Sequence, residues 1–324
     1  MENPDLQGVF GVAPTPLTET GDIDEDGLTA LVRRCRDRGL HAGVILGSNG
    51  EFPYFTFEEK VRILKVAARA AEGKLPLIGC ASAFSTVEAV ALARVCKDEG
   101  YAAVMAALLG YFQPEFEAVK AHFETLARDG GLPVIFYYYP ETTGLALDPE
   151  EIAELAEVPG IHGVKITVLN RSFIKRIISL TRTRMWAVFA GSAFLLRDTL
   201  QNGGAGCICP VPVIAPEDCL EVYNLMKNGK LDAAKSAQER VLGALPIFNG
   251  MDVPDAVNTA WFRATALKPY SGPADRSVSA VAAVKEALRL QGLPVTAVVR
   301  APQSPLSRSQ AKLVKKTLRN RGWL

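Results

Sequence analysis

Eight short apolar runs alternate with longer amphipathic segments from the beginning of the chain to Pro210. The runs have the length of β-strands and lie at residues 8–13, 42–46, 76–80, 102–106, 133–137, 161–166, 185–190 and 206–210. Apolar positions at helical spacing follow each run. After the first run these are Leu28, Leu31, Val32 and Cys35. The alternation predicts repeated βα units and therefore a parallel sheet.

The number of these units separates the two common parallel α/β architectures. Eight strands with eight helices favour the (β/α)8 TIM barrel, whereas an open doubly wound sheet usually has fewer strands. An open nucleotide-binding sheet would also carry a glycine-rich turn after its first strand, and no G-x-G-x-x-G follows any of the runs. We therefore predict a closed barrel of the α/β class.

The chain beyond the barrel contains more amphipathic helices than eight units require, between about residues 216 and 290. A stretch with Pro294, Pro302 and Pro305 follows, and then a last helix. We predict a (β/α)8 barrel over residues 1–215. Residues 216–324 are predicted to form a C-terminal helical appendage, packed on the barrel as part of one structural unit.

Composition and charge restrict the classes of partner. The 324 residues are 48% hydrophobic and 22% charged, and the formal net charge of +1 offers no field that would hold a polyanion. The basic tail over residues 300–321 lacks interleaved aromatic side chains, so we interpret it as a solvated helix face and expect no nucleic acid partner. No apolar run is long enough to span a bilayer, so no membrane partner is expected.

Six cysteines lie scattered in apolar segments, without the spacing of a disulfide framework. Because the N-terminal segment also lacks the pattern of a secretory signal, we expect a cytoplasmic protein with reduced thiols. Cys207 and Cys209 form the one close pair and are assigned to the core. A zinc site needs further soft ligands, and the three histidines form no ligand motif, so no metal ion is expected.

Lys165 carries the most information about chemistry, because active sites of this architecture lie at the C-terminal ends of the strands. It is the one lysine that the pattern places at the end of a predicted strand. Burial there would lower the pKa of the ammonium group, which makes the neutral amine available to form a Schiff base with a carbonyl. The alternative is a lysine held in an ion pair at the barrel rim.

Three further features end strands at the same mouth. Thr167 lies two residues after Lys165 and therefore points to the same side. Tyr137 ends the fifth strand and could relay a proton, although three consecutive tyrosines could equally be rim packing. The loop over residues 47–51 offers backbone N–H groups, with the side chains of Ser48 and Asn49, to a carboxylate, or is an ordinary tight turn. Their convergence on one mouth favours a binding site.

These residues make the chain similar, over nearly its whole length, to the dihydrodipicolinate synthase and N-acetylneuraminate lyase superfamily of class I aldolases. The marks are GSNGE at residues 47–51, GYFQP at residues 110–114, Tyr137 three residues before Pro140, Lys165 after Gly163 and Val164, and GSA at residues 191–193. The resemblance implies that Lys165 forms the Schiff base and that Tyr137 relays protons. It also implies that no metal and no organic cofactor take part.

The resemblance implies roles for the other marked residues. Ser48 would link Tyr137 to Tyr111, a tyrosine that in this superfamily often reaches into a neighbouring subunit's site. Homotetramers built as dimers of dimers are therefore expected. The residues that would bind the substrate are Gly47, Ser48, Asn49, Thr167, Gly191 and Ser192.

Departures within the superfamily narrow the expected substrate. Dihydrodipicolinate synthases usually carry an arginine two residues after the proline of the tyrosine motif, where it holds a second carboxylate. Thr142 stands at this position, so a role in lysine biosynthesis is not expected. GSNGEFP at residues 47–53, AGSA at residues 190–193 and GWL at residues 322–324 resemble the 4-hydroxy-2-oxoglutarate aldolase branch. In that branch a hydroxyl residue also occupies the position of Thr167.

Two further departures concern the size and polarity of the mouth. Ile166 stands where a polar residue often follows the lysine, and Tyr138 and Tyr139 predict a bulkier mouth. Both departures favour a substrate that is larger or less polar than 4-hydroxy-2-oxoglutarate.

The expected activity is that of a Schiff-base lyase that cleaves a 4-hydroxy-2-oxo acid to pyruvate and an aldehyde, or condenses these two small molecules. One alternative activity also uses the imine but removes water: that of a 2-oxo-3-deoxy sugar acid dehydratase. Another is a synthase that condenses pyruvate with a different aldehyde, as dihydrodipicolinate synthase does. The third is a barrel that binds a 2-oxo acid without turnover.

Overall fold

A closed parallel barrel forms the centre of the molecule. The computed structural model describes residues 6–267 and 280–324. The strands are β1 (Gly8–Val12), β2 (Ala42–Ile45), β3 (Leu77–Cys80), β4 (Ala103–Ala106), β5 (Val134–Tyr138), β6 (Ile161–Ile166), β7 (Ala187–Ala190) and β8 (Gly206–Cys209). Each strand pairs with the next, and β8 pairs with β1 in a register that sets Gly206 opposite Gly8. The prediction of a TIM barrel is confirmed.

The observed strands agree with the apolar runs to within two residues at either end. The largest difference is at β7, where the run begins at Met185 and the strand begins at Ala187. The side chain of Met185 is 81% exposed, so this methionine is apolar without being part of the core. The other seven strands are buried at every residue except His162 in β6, which is partly buried, as expected of strands covered on both sides.

Within residues 6–227, ten helices accompany the strands: α1 (Glu25–Asp37), α2 (Phe57–Ala71), α3 (Thr86–Asp98), α4 (Phe116–Gly130), α5 (Pro140–Thr143), α6 (Pro149–Glu154), α7 (Arg171–Thr181), α8 (Leu196–Gln201), α9 (Val211–Ile214) and α10 (Pro216–Lys227). Local sequence sets several of their first residues. Asp24 caps α1 by accepting from the N–H of Gly27, and Thr56 and Glu59 form a capping box at α2. Both helices therefore begin where a polar side chain replaces the missing backbone acceptor.

Five helices follow in the described ranges 228–267 and 280–324: α11 (Leu231–Leu242), α12 (Leu245–Asn249), α13 (Asp255–Thr265), α14 (Ala280–Leu290) and α15 (Arg308–Arg321). Helix α14 packs against α9 and against the short 3₁₀ turn Ser48–Gly50 that follows β2. The C-terminal helices therefore reach the mouth of the barrel. The division of the chain at residue 215 stays a prediction.

The basic tail folds into α15, which buries Val314 and Leu318 against the rest of the chain. Lys316 on this helix pairs with Asp252 at 2.6 Å, and Arg321 pairs with Asp255. At least part of its positive charge is therefore compensated within the molecule.

All six cysteines are free and buried. Cys207 and Cys209 are 0% and 2% exposed, and the Cys209 sulfur accepts a hydrogen bond of 3.1 Å from the N–H of Ala193. Their assignment to the core is confirmed. Across residues 6–267 and 280–324, no helix is long and apolar enough to cross a membrane.

Candidate active site

Lys165 lies near the end of β6, between Tyr137 on β5 and Phe189 on β7. Its side chain is 4% exposed, and its Nζ atom lies 3.8 Å from the centroid of the Tyr137 ring. Among the described residues, no carboxylate acts on its ammonium group. The alternative of a lysine held in a rim ion pair therefore has no support.

Burial lowers the pKa of Lys165 from 10.5 to about 8, because a charged ammonium group loses its hydration inside the barrel. The buried thiols of Cys209, Cys80 and Cys207 oppose this shift to a smaller extent. A useful fraction of the amine is therefore neutral near physiological pH, and the neutral form is the nucleophile that attacks a carbonyl.

Tyr137 connects Lys165 to the loop after β2. Its hydroxyl lies 3.2 Å from the hydroxyl of Ser48, and either oxygen can donate in this hydrogen bond. Burial raises the pKa of Tyr137 to about 12, while the hydroxyls of Ser48 and Thr167 act in the opposite direction. The phenol is therefore protonated at neutral pH, and the hydroxyl of Ser48 lies close enough to exchange a proton with it.

The loop after β2 turns sharply into the 3₁₀ turn Ser48–Gly50, with Gly47 as its first flanking residue. A methyl group added at Gly47 would lie 2.8 Å from Cγ1 of Val12 on β1, so only glycine allows this close approach. The first N–H groups of a helical turn have no acceptor within the turn. Those of Ser48 and Asn49 find none among the described residues and can therefore hold an anion.

The side chain of Asn49 adds a second polar group at this loop. Its Oδ1 atom is buried and has no hydrogen-bond partner among the described residues. A side-chain amide can be turned by 180° without changing its shape, so the same position presents either an oxygen or an NH2 group. A buried amide oxygen without a hydrogen-bond partner is costly in free energy, and a bound ligand that donates to it would remove that cost.

Thr167 and Gly191 meet where β6 and β7 end. The N–H of Gly191 donates to the carbonyl of Ile166 at 2.7 Å. A methyl group added at Gly191 would lie 2.1 Å from Oγ1 of Thr167, which is itself buried without a hydrogen-bond partner among the described residues. Gly191 therefore leaves room for the Thr167 hydroxyl, on the same side of β6 as Lys165.

Ser192 has a local structural contact. Its hydroxyl accepts a hydrogen bond of 3.3 Å from the N–H of Phe194 and caps the 3₁₀ turn Ala193–Leu195. This contact holds the turn that follows Gly191. A direct contact between Ser192 and substrate stays a prediction.

Tyr111 lies outside the mouth of its own barrel. Its side chain is 89% exposed, in the loop after β4, and its ring contacts Phe112 edge to face. Ser48 bonds to Tyr137 and not to Tyr111 within one chain. The predicted link from Ser48 to Tyr111 therefore requires the tyrosine of another subunit and stays a prediction.

The three consecutive tyrosines point to different places. Tyr138 turns away from the mouth: its hydroxyl bonds to the backbone of Leu147, and its ring stacks on Phe173. Tyr139 instead stacks on Tyr137, with ring centroids 5.9 Å apart. The expectation that both side chains narrow the mouth is therefore wrong for Tyr138, because successive residues of a strand face opposite sides.

Sequence reasoning missed one buried ion pair beside the site. Glu51, the last residue of the GSNGE loop, is 0% exposed and accepts a hydrogen bond of 2.5 Å from Nζ of Lys285 on α14. The only sequence signal is an acidic residue within a loop whose other residues are small or polar. Lys285, 234 residues further along the chain, has no signal of its own.

Comparison with known proteins places this barrel in a family. Residues 5–263 match the sequence model of the dihydrodipicolinate synthetase family. The chain belongs to this family. The members of this dihydrodipicolinate synthetase family are lyases and synthases of the class I aldolase type, so the chain is an enzyme of the lyase class. They act through a Schiff base between pyruvate and a lysine, without a metal or organic cofactor.

Two relatives show how much of the family pattern the chain shares. The 4-hydroxy-tetrahydrodipicolinate synthase of Phenylobacterium zucineum is 30% identical over 244 residues, 75% of this chain and 82% of that protein. An uncharacterized DapA-like lyase of Thermofilum pendens is 27% identical over 318 residues, 97% of each chain.

Solved structures of the dihydrodipicolinate synthetase family share the fold over almost the whole chain. YagE, a prophage protein of E. coli K12 solved in complex with pyruvate, matches with a TM-score of 0.85 at 23% identity and covers 98% of this chain and 99% of its own. The chloride-inhibited dihydrodipicolinate synthase of Acinetobacter baumannii, also complexed with pyruvate, matches with a TM-score of 0.83 at 25% identity. It covers 98% of this chain and 100% of its own.

Proposed function

We propose that this enzyme cleaves a 4-hydroxy-2-oxo acid, similar to 4-hydroxy-2-oxoglutarate, into pyruvate and an aldehyde while the substrate is bound to Lys165 as a Schiff base. One observation carries the proposal: Nζ of Lys165 lies over the ring of Tyr137, whose hydroxyl is bonded to Ser48. Nucleophile, proton carrier and loop hydroxyl are thus joined in one chain of contacts. Each of them supplies a step of the reaction.

Imine formation begins with the neutral amine of Lys165. With a pKa of about 8, roughly one amine in ten is neutral at pH 7. The amine attacks C2 of the substrate, and loss of water gives an iminium ion. The N–H groups of Ser48 and Asn49, with the Asn49 amide, bind the adjacent carboxylate and so orient C2 toward Nζ.

Cleavage follows because the iminium ion accepts electrons. The electron pair of the C3–C4 bond moves into the iminium system and leaves an enamine, while the C4 hydroxyl loses its proton and becomes the aldehyde. Tyr137 receives that proton as its own phenolic proton passes to Ser48, and the hydroxyl proton of Ser48 passes on to solvent, so neither hydroxyl becomes charged. The enamine is then protonated at C3, and water hydrolyses the imine to pyruvate and free Lys165.

The subunit arrangement is the second part of the proposal. Four large apolar side chains are exposed on the loops after β3 and β4 and on the beginning of α3: Phe84 (71%), Val87 (81%), Tyr111 (89%) and Phe112 (81%). A β-bridge joins the two loops, so these side chains belong to one surface. Exposed apolar patches of this kind mark interaction sites. We propose that two copies pair through this surface, each giving Tyr111 to the other's site, within a homotetramer.

The partners proposed for the site are small molecules, a 2-oxo acid and an aldehyde. The orphan N–H groups of Ser48 and Asn49 fit the carboxylate of the former. The six free and buried thiols support a cytoplasmic location.

A second candidate is the condensing reaction. It is favoured by the name of the 30% identical relative, 4-hydroxy-tetrahydrodipicolinate synthase. Thr142 argues against the second substrate of that synthase. Dihydrodipicolinate synthases usually have an arginine at this position to hold the carboxylate of the second substrate, and a threonine hydroxyl offers no positive charge. A condensing enzyme with this site would therefore take an aldehyde without a carboxylate at that end.

A coupled assay separates these candidates. The enzyme is mixed with 4-hydroxy-2-oxoglutarate, with 2-oxo-3-deoxy sugar acids, or with pyruvate plus an aldehyde, and pyruvate is followed with lactate dehydrogenase and NADH. We expect pyruvate release from the 4-hydroxy-2-oxo acid, and none with the Lys165→Ala variant. Loss of a sugar acid without release of pyruvate would indicate a dehydratase. Consumption of pyruvate in the presence of an aldehyde, without cleavage of the 4-hydroxy-2-oxo acid, would indicate a synthase. Near-normal cleavage by Lys165→Ala would remove the proposed mechanism.

A further inference from the structure

Glu51 is held on both of its oxygen atoms by residues of the C-terminal part of the chain. Oε1 accepts from Nζ of Lys285 at 2.5 Å, and Oε2 accepts from the backbone N–H of Arg300 at 2.7 Å. Nζ of Lys285 also donates to the carbonyl of Val298 at 2.7 Å. The side chains of Glu51 and Lys285 are 0% and 1% exposed, so the pair is sealed from water.

The segment that holds Glu51 is itself attached to the barrel. The guanidinium group of Arg300 pairs with Glu59 of α2 at 2.9 Å, and its Cζ atom lies 4.6 Å from the centroid of the Phe55 ring. The hydroxyl of Thr296 donates to the carbonyl of Leu17 at 2.7 Å. The C-terminal segment over residues 296–300 therefore presents one fixed donor, the N–H of Arg300, to Glu51.

The backbone beside this pair adopts an unfavourable conformation at both ends of the loop. Leu46 has a φ of 60° and Glu51 a φ of 58°, in the left-handed region that L-residues rarely occupy. Glu72, the other non-glycine residue with positive φ in the described ranges, only ends helix α2. Strained backbone persists where surrounding contacts hold it, and it clusters at functional sites.

The strained residues enclose the groups that the proposed function uses. Between Leu46 and Glu51 lie Gly47, with its close approach to the barrel, and Ser48 and Asn49, with their free N–H groups. Any rotation of this loop moves those N–H groups away from the substrate and the Ser48 hydroxyl away from Tyr137.

Ordinary packing does not require a buried ion pair here. Two buried charges lose their hydration, and a well-packed apolar pair of similar volume is often equally or more stable. An ion pair with two further hydrogen bonds fixes the direction of Glu51, which an apolar contact would leave free. The arrangement is therefore suited to setting a loop conformation.

We infer that Glu51 and Lys285 are positioning residues, through which helix α14 sets the conformation of residues 47–51 for binding the carboxylate of the 2-oxo acid. The link to the carboxylate rests on the proposed function. The link to the loop conformation does not, and it can be measured without substrate.

The first measurement is hydrogen–deuterium exchange of the full chain, in wild type and in the Lys285→Met variant. Loss of Lys285 leaves Glu51 buried and unpaired, so we expect exchange of the hydrogen-bonded N–H groups of Gly50 and Glu51 in this loop to become faster by about tenfold, which equals about 1.4 kcal/mol of local stability. The matched control is Lys60→Met, which breaks the largely buried Lys60–Glu88 pair between α2 and α3. That control should leave exchange in the loop unchanged. Equal loop protection in Lys285→Met and wild type would overturn the inference.

The double variant Glu51→Gln/Lys285→Met separates positioning from simple stability. Removing both charges should return the thermal midpoint close to that of wild type, because no unpaired charge is left buried. Protection of residues 47–51 should stay low, since a neutral pair does not fix the direction of residue 51. Recovery of both properties together would mean that the charges do not position the loop.

The link to the carboxylate is tested by borohydride trapping at Lys165 with two carbonyl probes, pyruvate and acetaldehyde. Only pyruvate has a carboxylate, so the ratio of pyruvate to acetaldehyde adduct should fall about tenfold in Lys285→Met. It should not change in Lys60→Met. An equal fall of both adducts would contradict a role in carboxylate binding. Absence of a pyruvate adduct in wild type would remove the proposed function, while the exchange result would still decide the role of the pair in the loop.

Discussion

The amine of Lys165 and the phenol of Tyr137 stand opposite each other in the register of β6 and β5, with Nζ 3.8 Å from the ring centroid. Burial acts on both groups and shifts them in opposite directions: it lowers the pKa of Lys165 to about 8 and raises that of Tyr137 to about 12. Because burial disfavours the charged form of each, both are driven toward neutrality. Imine chemistry needs this combination of a neutral nucleophile and a proton-bearing phenol.

The pH dependence of catalysis follows from the Lys165 amine. Since only the neutral amine attacks, kcat/KM of the free enzyme should rise with pH and level off above a midpoint of about pH 8. Below the midpoint it should fall about tenfold per pH unit. Initial rates of pyruvate release between pH 6 and pH 9.5 check this. A flat profile through this range would contradict a titrating lysine nucleophile.

The same burial makes Lys165 a cost to stability. Its folded-state pKa of about 8 lies below the ordinary 10.5, so between these values the unfolded chain binds more protons. Stability should therefore rise as the pH increases from 8 to 10.5, and below pH 8 the cost is fully present, about 3 kcal/mol. The Lys165→Met variant should resist urea better than wild type at pH 7, with a smaller difference at pH 10. A less stable Lys165→Met at pH 7 would show that the ammonium group is not penalised by burial.

Replacing Gly191 with alanine should weaken substrate binding through a steric clash. The added methyl group in Gly191→Ala would lie 2.1 Å from Oγ1 of Thr167 and 2.9 Å from the carbonyl of Ile166. We expect KM for the 2-oxo acid to rise by about tenfold, equivalent to about 1.4 kcal/mol of lost binding. Gly130→Ala is a matched control, because its methyl group would meet Ala93 at 2.8 Å on the helical side of the barrel. It should lower stability without changing KM, and an equal rise of KM in both variants would contradict the assignment.

Mixing two inactive variants tests the shared tyrosine. Lys165→Ala lacks the nucleophile, and Tyr111→Phe lacks the phenol that is proposed to enter the neighbouring site. A mixed pair contains one site with both residues intact, so random exchange of subunits in equal amounts should restore about a quarter of wild-type activity. Tyr111→Phe mixed with Tyr137→Phe is a second test, because one site of a mixed pair is again intact. Lys165→Ala mixed with Tyr137→Phe is the control for these two mixtures: both residues belong to the same chain's site, so no site of a mixed pair is intact and no activity should return. No recovery in either of the two test mixtures, with subunit exchange verified by mass spectrometry, would place Tyr111 outside the partner's site.

Much of the barrel is predictable because its strands are continuous apolar runs, each separated from the next by a segment of helical spacing. Lys165 could be found because a lysine at the end of such a run contradicts its surroundings. The expectation that Tyr138 lines the mouth is wrong, and the alternation of side chains along a strand explains why: a residue next to Tyr137 on β5 faces the opposite side.

Other features depend on contacts between distant parts of the chain. The pairing of Glu51 with Lys285 joins residues 234 positions apart, and no local pattern marks either as a partner of the other. The positive φ of Leu46 is equally hidden, since leucine is a residue that rarely adopts it. Sequence reasoning therefore finds the reacting groups more readily than the contacts that hold them.

If Lys165 forms an imine with a 2-oxo acid, reduction of that imine should leave a stable adduct on its Nζ atom. The purified enzyme is mixed with pyruvate, reduced with borohydride, and analysed by intact mass and peptide mapping. We predict one reduced adduct per chain on Lys165, lost in Lys165→Ala and retained in Tyr137→Phe, which keeps the ring beneath the amine. A folded enzyme without an adduct, or with its adduct on another lysine, would contradict this account.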